Sequence, residues 1–269
     1  MEKLEGKAFK AYKSEAFPKF LATVDKNGVP NIVPVLTLRA FDPETLVFGR
    51  LMVWKTAQNL EDTRKATACC FGPGANYWRV RAEFVEFAKK GPIVDAINEM
   101  AMFRYNAYAG ASEVGVFHVR EVLPPRKMHW AAGIIEMRGI HRAAKAIATM
   151  PNGGPMPPKV VEHFNRRLAI KYIAYINQDG WPEPQPVFSL FPAGDNAIVF
   201  KADADLLPPP GTMMAASAIN QQLIAYQVKG KYRGREKIQG READVLDVTE
   251  VFTASPPLPG KRVFPPELT

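Results

Sequence analysis

Residues Leu21 to Arg50 read LATVDKNGVPNIVPVLTLRAFDPETLVFGR, and residues Ile173 to Ala202 read IAYINQDGWPEPQPVFSLFPAGDNAIVFKA. Laid together without a gap at an offset of 152, they share eight identities in thirty positions: Ala22/Ala174, Gly28/Gly180, Pro30/Pro182, Pro34/Pro186, Val35/Val187, Leu38/Leu190, Val47/Val199 and Phe48/Phe200. Each copy opens on an apolar run (LATV, IAYI), turns through DKNG or NQDG, and continues as VPVLTL or QPVFSL. After a polar turn each reaches a third run, LVFG or IVFK. Glycine in the first turn supplies the positive φ of a tight hairpin. The pattern predicts a meander of short antiparallel strands, repeated once along the chain. Proline cannot donate to a ladder, which places the second strand of each copy at an edge or a bulge.

The copies resume at a different spacing. VFHVREVL, Val116 to Leu123, aligns with VLDVTEVF, Val245 to Phe252, at an offset of 129, so the second copy is shorter by 23 residues. The first copy holds PIVDAINEMAMFRYNAYAG there, from Pro92 to Gly110, with Ile93, Ile97, Met100 and Ala101 at helical spacing between a proline and a glycine. That reads as a helix missing from a trimmed second copy. The joining segment contains MPNGGPMPP, Met150 to Pro158, a linker composition.

The surrounding composition fits a folded chain. Of 269 residues, 47% are hydrophobic and 23% charged, average globular usage rather than that of a disordered chain. No apolar run reaches the ~18–20 residues that span a bilayer. The start, MEKLEGKAFKAYKSEAF, lacks the apolar stretch of a secretory signal, so a cytoplasmic protein with no membrane partner is expected. The net charge of +8 suits anionic partners, from a phosphate-bearing cofactor to nucleic acid. The basic residues are scattered, and only YWRVR interleaves them with aromatics, so no nucleic-acid partner is expected. Cys69 and Cys70 are adjacent on a predicted strand and point to opposite faces, as buried thiols rather than metal ligands or a disulfide. No metal-spaced cluster or Ser/His/Asp set stands out, and no catalytic acid or base is assigned.

The segment after the third strand is the one that suggests chemistry. The first copy continues GRLMVWKTAQNLEDTRKA, helical from Thr56 to Lys65 with Thr56 as N-cap or first-turn residue. Arg50 and Lys55 precede that start. Free N–H groups, the positive dipole end, a hydroxyl and two cations would converge on a site suited to a phosphate dianion. The other reading is an ordinary capped surface helix with a solvated lysine. The second copy has KADADLLPPPGTMM instead, with no Lys-Thr pair, two aspartates and three prolines. A phosphate site, if present, is retained in the first copy only.

Hairpin, VPV strand, third strand and G-x-x-M-x-x-K-T-x-x-N-L together resemble the FMN-binding split barrels related to pyridoxamine 5'-phosphate oxidase. The resemblance covers Phe20 to Leu123, and Ile170 to Phe252 as a degenerate second barrel. It implies a mainly β fold with peripheral α, two antiparallel split β-barrels in tandem. Its implied divisions are an FMN-binding barrel over 1–125, a linker over 126–160, a degenerate barrel over 161–255 and a tail over 256–269. Helices are expected near the N-terminus, after Thr56 and after Pro92. The resemblance also implies FMN with its phosphate on Arg50, Lys55 and Thr56, with Gln58 or Asn59 contributing. Pro34, Val35, Leu36 and Thr37 would flank the ring, and Gly49, Leu51 and Met52 would lie beneath the ribityl chain. Trp130, in RKMHWAAG beside His129, either covers the ring or packs between the barrels.

Such proteins are usually homodimers with flavin at the interface, a pairing that two chains, or the two barrels of one chain, could make. The implied function is an FMN-dependent oxidoreductase served by NAD(P)H or a protein electron donor, with Arg79 or Arg81 placed to stabilise a reduced ring. Residues that would bind the substrate of pyridoxamine 5'-phosphate oxidase itself have no counterpart here. Two alternatives stand beside this reading. One is a non-catalytic flavin, deazaflavin or haem carrier, for which His118, His129, His141 and His163 are the available axial ligands. The other is a structural module that has lost its ligand.

Overall fold

The computed structural model describes residues 2–104, 110–128, 130–148, 153–255 and 258–266. The first half contains α1 (Gly6–Lys13), β1 (Lys19–Val24), β2 (Pro30–Pro34), β3 (Arg39–Asp42), β4 (Thr45–Gly49), α2 (Trp54–Thr63), β5 (Lys65–Phe71), β6 (Asn76–Ala88), α3 (Pro92–Asn98), α4 (Ala101–Arg104), β7 (Val114–Val122) and β8 (Arg126–Lys127). Then come α5 (Trp130–Ile147) and α6 (Pro158–Asn165). They precede β9 (Ile170–Ile176), β10 (Pro182–Pro186), β11 (Leu190–Ala193), β12 (Ala197–Phe200), β13 (Met213–Ile219), β14 (Ala225–Ile238), β15 (Arg241–Thr253) and β16 (Arg262–Phe264).

Two antiparallel sheets of eight strands result. The strand order is β2-β1-β5-β6-β7-β4-β3 in one and β10-β9-β13-β14-β15-β12-β11 in the other, with β8 added to β6 and β16 to β15. The two orders are the same order, so the repeat in the sequence is a repeat of topology: two split barrels in tandem. The turns that open each copy are built alike. Gly28 and Gly180 have φ of 78° and 75°. Asp25 Oδ1 accepts the N–H groups of Asn27 and Val29, and Asn177 Oδ1 accepts that of Trp181. β2 and β10, the proline-bearing strands, are edge strands, where an N–H facing away from the neighbour is not missed.

Burial explains the pattern of the central strands. β1 is buried at all six residues because both of its faces are covered. Leu21 enters the first barrel's core with Phe48, Val80 and Phe117, while Phe20 and Ala22 enter a second cluster with Ile32, Tyr172, Ala174, Ala215 and Ile219. That second cluster draws on both sheets, so the barrels pair within one chain. Cys70 belongs to the barrel core and Cys69 to the seam between barrels; both are free and buried.

Three local expectations are corrected. The helix expected over 56–65 runs from Trp54 to Thr63, with Val53 at the cap position and no side-chain cap. Of the two places expected for Thr56, cap or first turn, it takes the first turn, buried. The helix expected from Pro92 to Gly110 is divided into α3 and α4, with 105–109 outside the described residues. The segment 126–160, expected as a linker, holds α5, which packs on β11, β12 and β15 as α3 packs on β4 and β7. Only the Met150–Pro158 end has linker composition; WAAGIIEMRGIHRAAKAI is apolar at helical spacing. The connecting segment thus supplies the outer helix that the second copy lost. Among the described residues no helix is long and apolar enough to cross a membrane.

Candidate functional site

The start of α2 is open to a ligand. Ala57 N–H is the first to find a helical acceptor, the Val53 carbonyl at 2.8 Å. The N–H groups of Trp54, Lys55 and Thr56 have no acceptor among the described residues. Such unpaired donors at the positive end of a helix attract anions. Lys55 Nζ stands 3.4 Å from Asp25 Oδ2. Burial pushes the Asp25 carboxyl up, but the N–H groups of Val29 and Asn27 and the charge of Lys55 outweigh it and hold it below the usual range. Asp25 thus both closes the β1–β2 turn and steers Lys55.

Behind this helix start runs a buried chain of polar side chains. Asn31 Nδ2 donates to Thr56 Oγ1 at 3.1 Å and to Thr23 Oγ1 at 3.4 Å; Asn59 Nδ2 donates to the same Thr23 oxygen at 3.0 Å. From the second barrel, Gln227 Nε2 donates to Asn31 Oδ1 at 3.3 Å and to the Ile32 carbonyl at 2.6 Å. Asn59 Oδ1 and Gln227 Oε1 are buried without a partner. Two residues along β14 on the same face is Lys229. It is 3% exposed, and its ammonium has no hydrogen-bond or ion-pair partner among the described residues, Nζ lying 5.1 Å from the Phe252 ring. Burial, and then the charge of Lys55, lower its pKa to about 8. The C-terminal segment closes the third side. An added Cβ on Gly260 would lie 3.8 Å from Lys55 Cβ, and Arg262, paired with Glu250 at 3.4 Å, leaves a buried Nε without a partner.

The other end of β2 is apolar. Pro34 and exposed Leu36 line a cleft with Phe20 of their own barrel and Ile170, Ile219 and Leu223 of the other. Asn31 and Pro34 are three residues apart on one strand, ~10 Å. Cations therefore gather near one end of β2 and apolar side chains at the other, and the second barrel walls both.

The remaining predicted residues take varied places. Val35 is buried in the first barrel's core. Thr37 Oγ1 accepts the Gly49 N–H at 3.0 Å, and a Cβ on Gly49 would press on Ala111 Cβ at 3.0 Å, so glycine keeps this corner closed. Leu51 packs under α3; Met52 has φ of 50° and is exposed, as is Gln58 on the outer face of α2. Arg50 is not among the cations near Lys229: it holds Glu113 at 2.6 Å and lies over the Phe87 ring at 4.3 Å. His129 and the side chain of Trp130 lie outside the described residues. None of the three described histidines lines the cleft. His118 is exposed, His141 packs on Phe191, and His163 Nε2 is 3.0 Å from the Ala218 carbonyl.

Arg79 and Arg81, expected near a flavin ring, are committed elsewhere. Arg79 holds Glu183 at 2.8 Å, and Arg81 holds both Glu183 and Glu121. Nearby, Arg126 pairs with Asp203 and Asp205, and Tyr77 donates to Asp203 at 3.1 Å. These acids belong to the second copy's counterpart of the α2 region, where the 3-10 turn Ala204–Leu206 replaces the helix. That side of the seam is an internal salt-bridge cluster. Sequence reading missed Asn31, Gln227, Lys229 and Arg262. Continuing the repeat alignment through β5–β6 and β13–β14 at an offset of 148 would have set Lys229 against Arg81.

No protein-family model and no curated protein matches the sequence. Three solved structures with a similar fold each span less than half of this chain. An FMN-binding protein from Syntrophomonas wolfei is 20% identical over 45% of this chain and 87% of its own, with a TM-score of 0.38. HupZ from Group A Streptococcus is 25% identical over 39% and 82%, TM-score 0.35. An F420 reductase is 17% identical over 46% and 100%, TM-score 0.35. The two eight-stranded sheets follow one another along the chain with the same strand order, a tandem of split barrels.

Proposed function

We propose that the chain is a flavin-binding oxidoreductase that holds FMN between its two barrels. The observation that carries this reading is the polarity of the seam along β2. Unpaired N–H groups and lysines lie near Asn31, and an apolar cleft lies beside Pro34 and Leu36. A flat apolar ring joined to a phosphate by a polar chain has that order of chemistries. The residues present fit it: buried Lys229 and Arg262 Nε await an acceptor, and Gln227 Oε1 and Asn59 Oδ1 await a donor such as a ribityl hydroxyl.

In this reading Lys55, the Thr56 hydroxyl and the first-turn N–H groups of α2 hold the phosphate. Pro34, Val35, Leu36 and Thr37 offer backbone and side chain to the ring. Gly49, Leu51 and Met52 form the approach to the helix, and Asn59 orders the first turn through Thr23 and Asn31. Arg50 fixes that approach to β7 through Glu113 rather than meeting the phosphate itself. Bound flavin supplies hydride or electron transfer, while the protein supplies orientation, charge and exclusion of water. The electron donor is NAD(P)H or a protein partner.

The test is an absorption spectrum of the purified chain, then titration with FMN. Bands near ~370 and ~450 nm, and FMN affinity lost in Lys55→Ala, are expected. A colourless protein that ignores FMN would overturn the reading.

A further inference from the structure

The two sides of the seam are related by the repeat, and they differ in one decisive way. Ala68 pairs with Val80 in the first sheet as Ala216 pairs with Val228 in the second, so Arg79 and Arg81 correspond to Gln227 and Lys229. Asn31 and Glu183 correspond at the offset of 152. On one side the second barrel's Glu183 receives Arg79 and Arg81. On the other, the first barrel presents the neutral Asn31, which receives Gln227 and offers Lys229 no carboxylate, while Glu250, opposite Lys229 on the ladder, pairs with Arg262.

We infer that Lys229 is a ligand, supplied by the second barrel, for a phosphate dianion seated at the start of α2. We infer also that the chain has one such site because the Glu183 carboxylate fills its counterpart. The inference rests on the reading of the seam as a phosphoester site and names the residue that completes it. A lysine buried this deeply without a counter-ion is costly unless an anion joins it. Among the described residues the groups around it are Lys55 and Asp25 from the first barrel and Glu250 and Arg262 from β15 and β16. Asp25 is engaged by Lys55 and Glu250 by Arg262, so both acids are already shared with other cations. The open N–H groups of α2 and Lys55 come from the first barrel and Lys229 from the second, in a region whose two carboxylates, Asp25 and Glu250, already pair with other cations.

The full chain, titrated at pH 7 with FMN, riboflavin and inorganic phosphate, tests this. Lys229→Met should weaken FMN by ~10- to 100-fold and leave riboflavin, which lacks the phosphate, within about twofold; Lys229→Arg should keep most of the FMN affinity. Phosphate should raise the melting temperature of the wild type and not of Lys229→Met. Unchanged FMN affinity in Lys229→Met, with Lys55→Ala impaired, overturns the role of Lys229 and leaves the flavin reading standing. Equal loss of FMN and riboflavin also overturns it, since that marks a packing role. Should the wild type bind neither flavin, the flavin reading fails, and phosphate alone decides. A melting shift abolished by both Lys55→Ala and Lys229→Met sustains the anion site, and no shift in the wild type overturns it.

Discussion

Phe20 on β1 and Tyr172 on β9 stack on each other, ring centroids 3.9 Å apart and planes inclined by 19°. They are counterparts, separated by the repeat offset of 152. A residue that packs on its own counterpart lies on the twofold axis relating the copies. The chain is therefore a dimer of barrels closed upon itself, and a single chain can let the clefts on either side of the axis diverge. On one side carboxylates of the second barrel form a salt-bridge cluster; on the other, Lys229 has no ion-pair partner among the described residues.

The axis contact should be a large contributor to stability. Phe20→Ala is expected to cost ~3–5 kcal/mol. A double-mutant cycle with Tyr172→Ala should show a coupling of ~0.5–1.5 kcal/mol. Urea unfolding of the four proteins checks both; additive losses would mean that the rings do not act as a pair.

Glu183 should be intolerant of neutralisation. Its side chain is 7% exposed and that of Arg79 6%. Glu183→Gln leaves Arg79 buried beside Arg81 without a counter-charge, for an expected loss of ~3–5 kcal/mol. Chemical denaturation measures it. Asn31→Ala, on the other side of the axis, removes only neutral hydrogen bonds and should cost less.

Affinity for FMN should fall with rising pH. The Lys229 pKa is lowered to about 8 in the free protein, by burial first and by Lys55 next, and a bound dianion raises it. Binding is then strongest below about pH 8 and weakens as the pH climbs toward the bound-state value. Titrations between pH 7 and 10 should show this decline in the wild type and a flatter profile in Lys229→Met.

Folding stability should carry the opposite slope from Lys171. This lysine is buried, its Nζ donating to the Leu190 carbonyl at 2.6 Å, and burial lowers its pKa to about 7. The unfolded chain holds the proton up to about pH 10.4, so between the two values the unfolded state binds more protons and stability rises with pH. The contribution approaches ~1.4 kcal/mol per pH unit. Denaturation midpoints at pH 7 to 9 should rise in the wild type, and Lys171→Met should remove that part of the slope.

The two cysteines should resist modification. Burial pushes the Cys70 thiol up to about 12 and the Cys69 thiol further. Thiol-reactive dye at pH 8 is expected to label neither in the native protein and both in urea. Rapid native labelling would show that the seam opens.

Much of the architecture is local and was readable along the chain. Short apolar runs and the glycines at 28 and 180 specify the hairpins, the prolines of β2 and β10 mark edges, and self-similarity at 152 announces two barrels. These signals rest on φ preference and side-chain period, which need only neighbours in sequence. The Lys-Thr segment after the third strand was legible as a helix start for the same reason. Which charges are paired was not. Arg81 and Lys229 look alike as basic residues on amphipathic strands, and only docking of the barrels gives one a carboxylate from across the seam and the other none. Thr56, read as a cap or first-turn residue, also accepts the buried Asn31 amide, and the helix on the second barrel comes from a segment that looked like a linker. Burial and charge neutralisation depend on what arrives from some 150 residues away, and tertiary structure alone decides them.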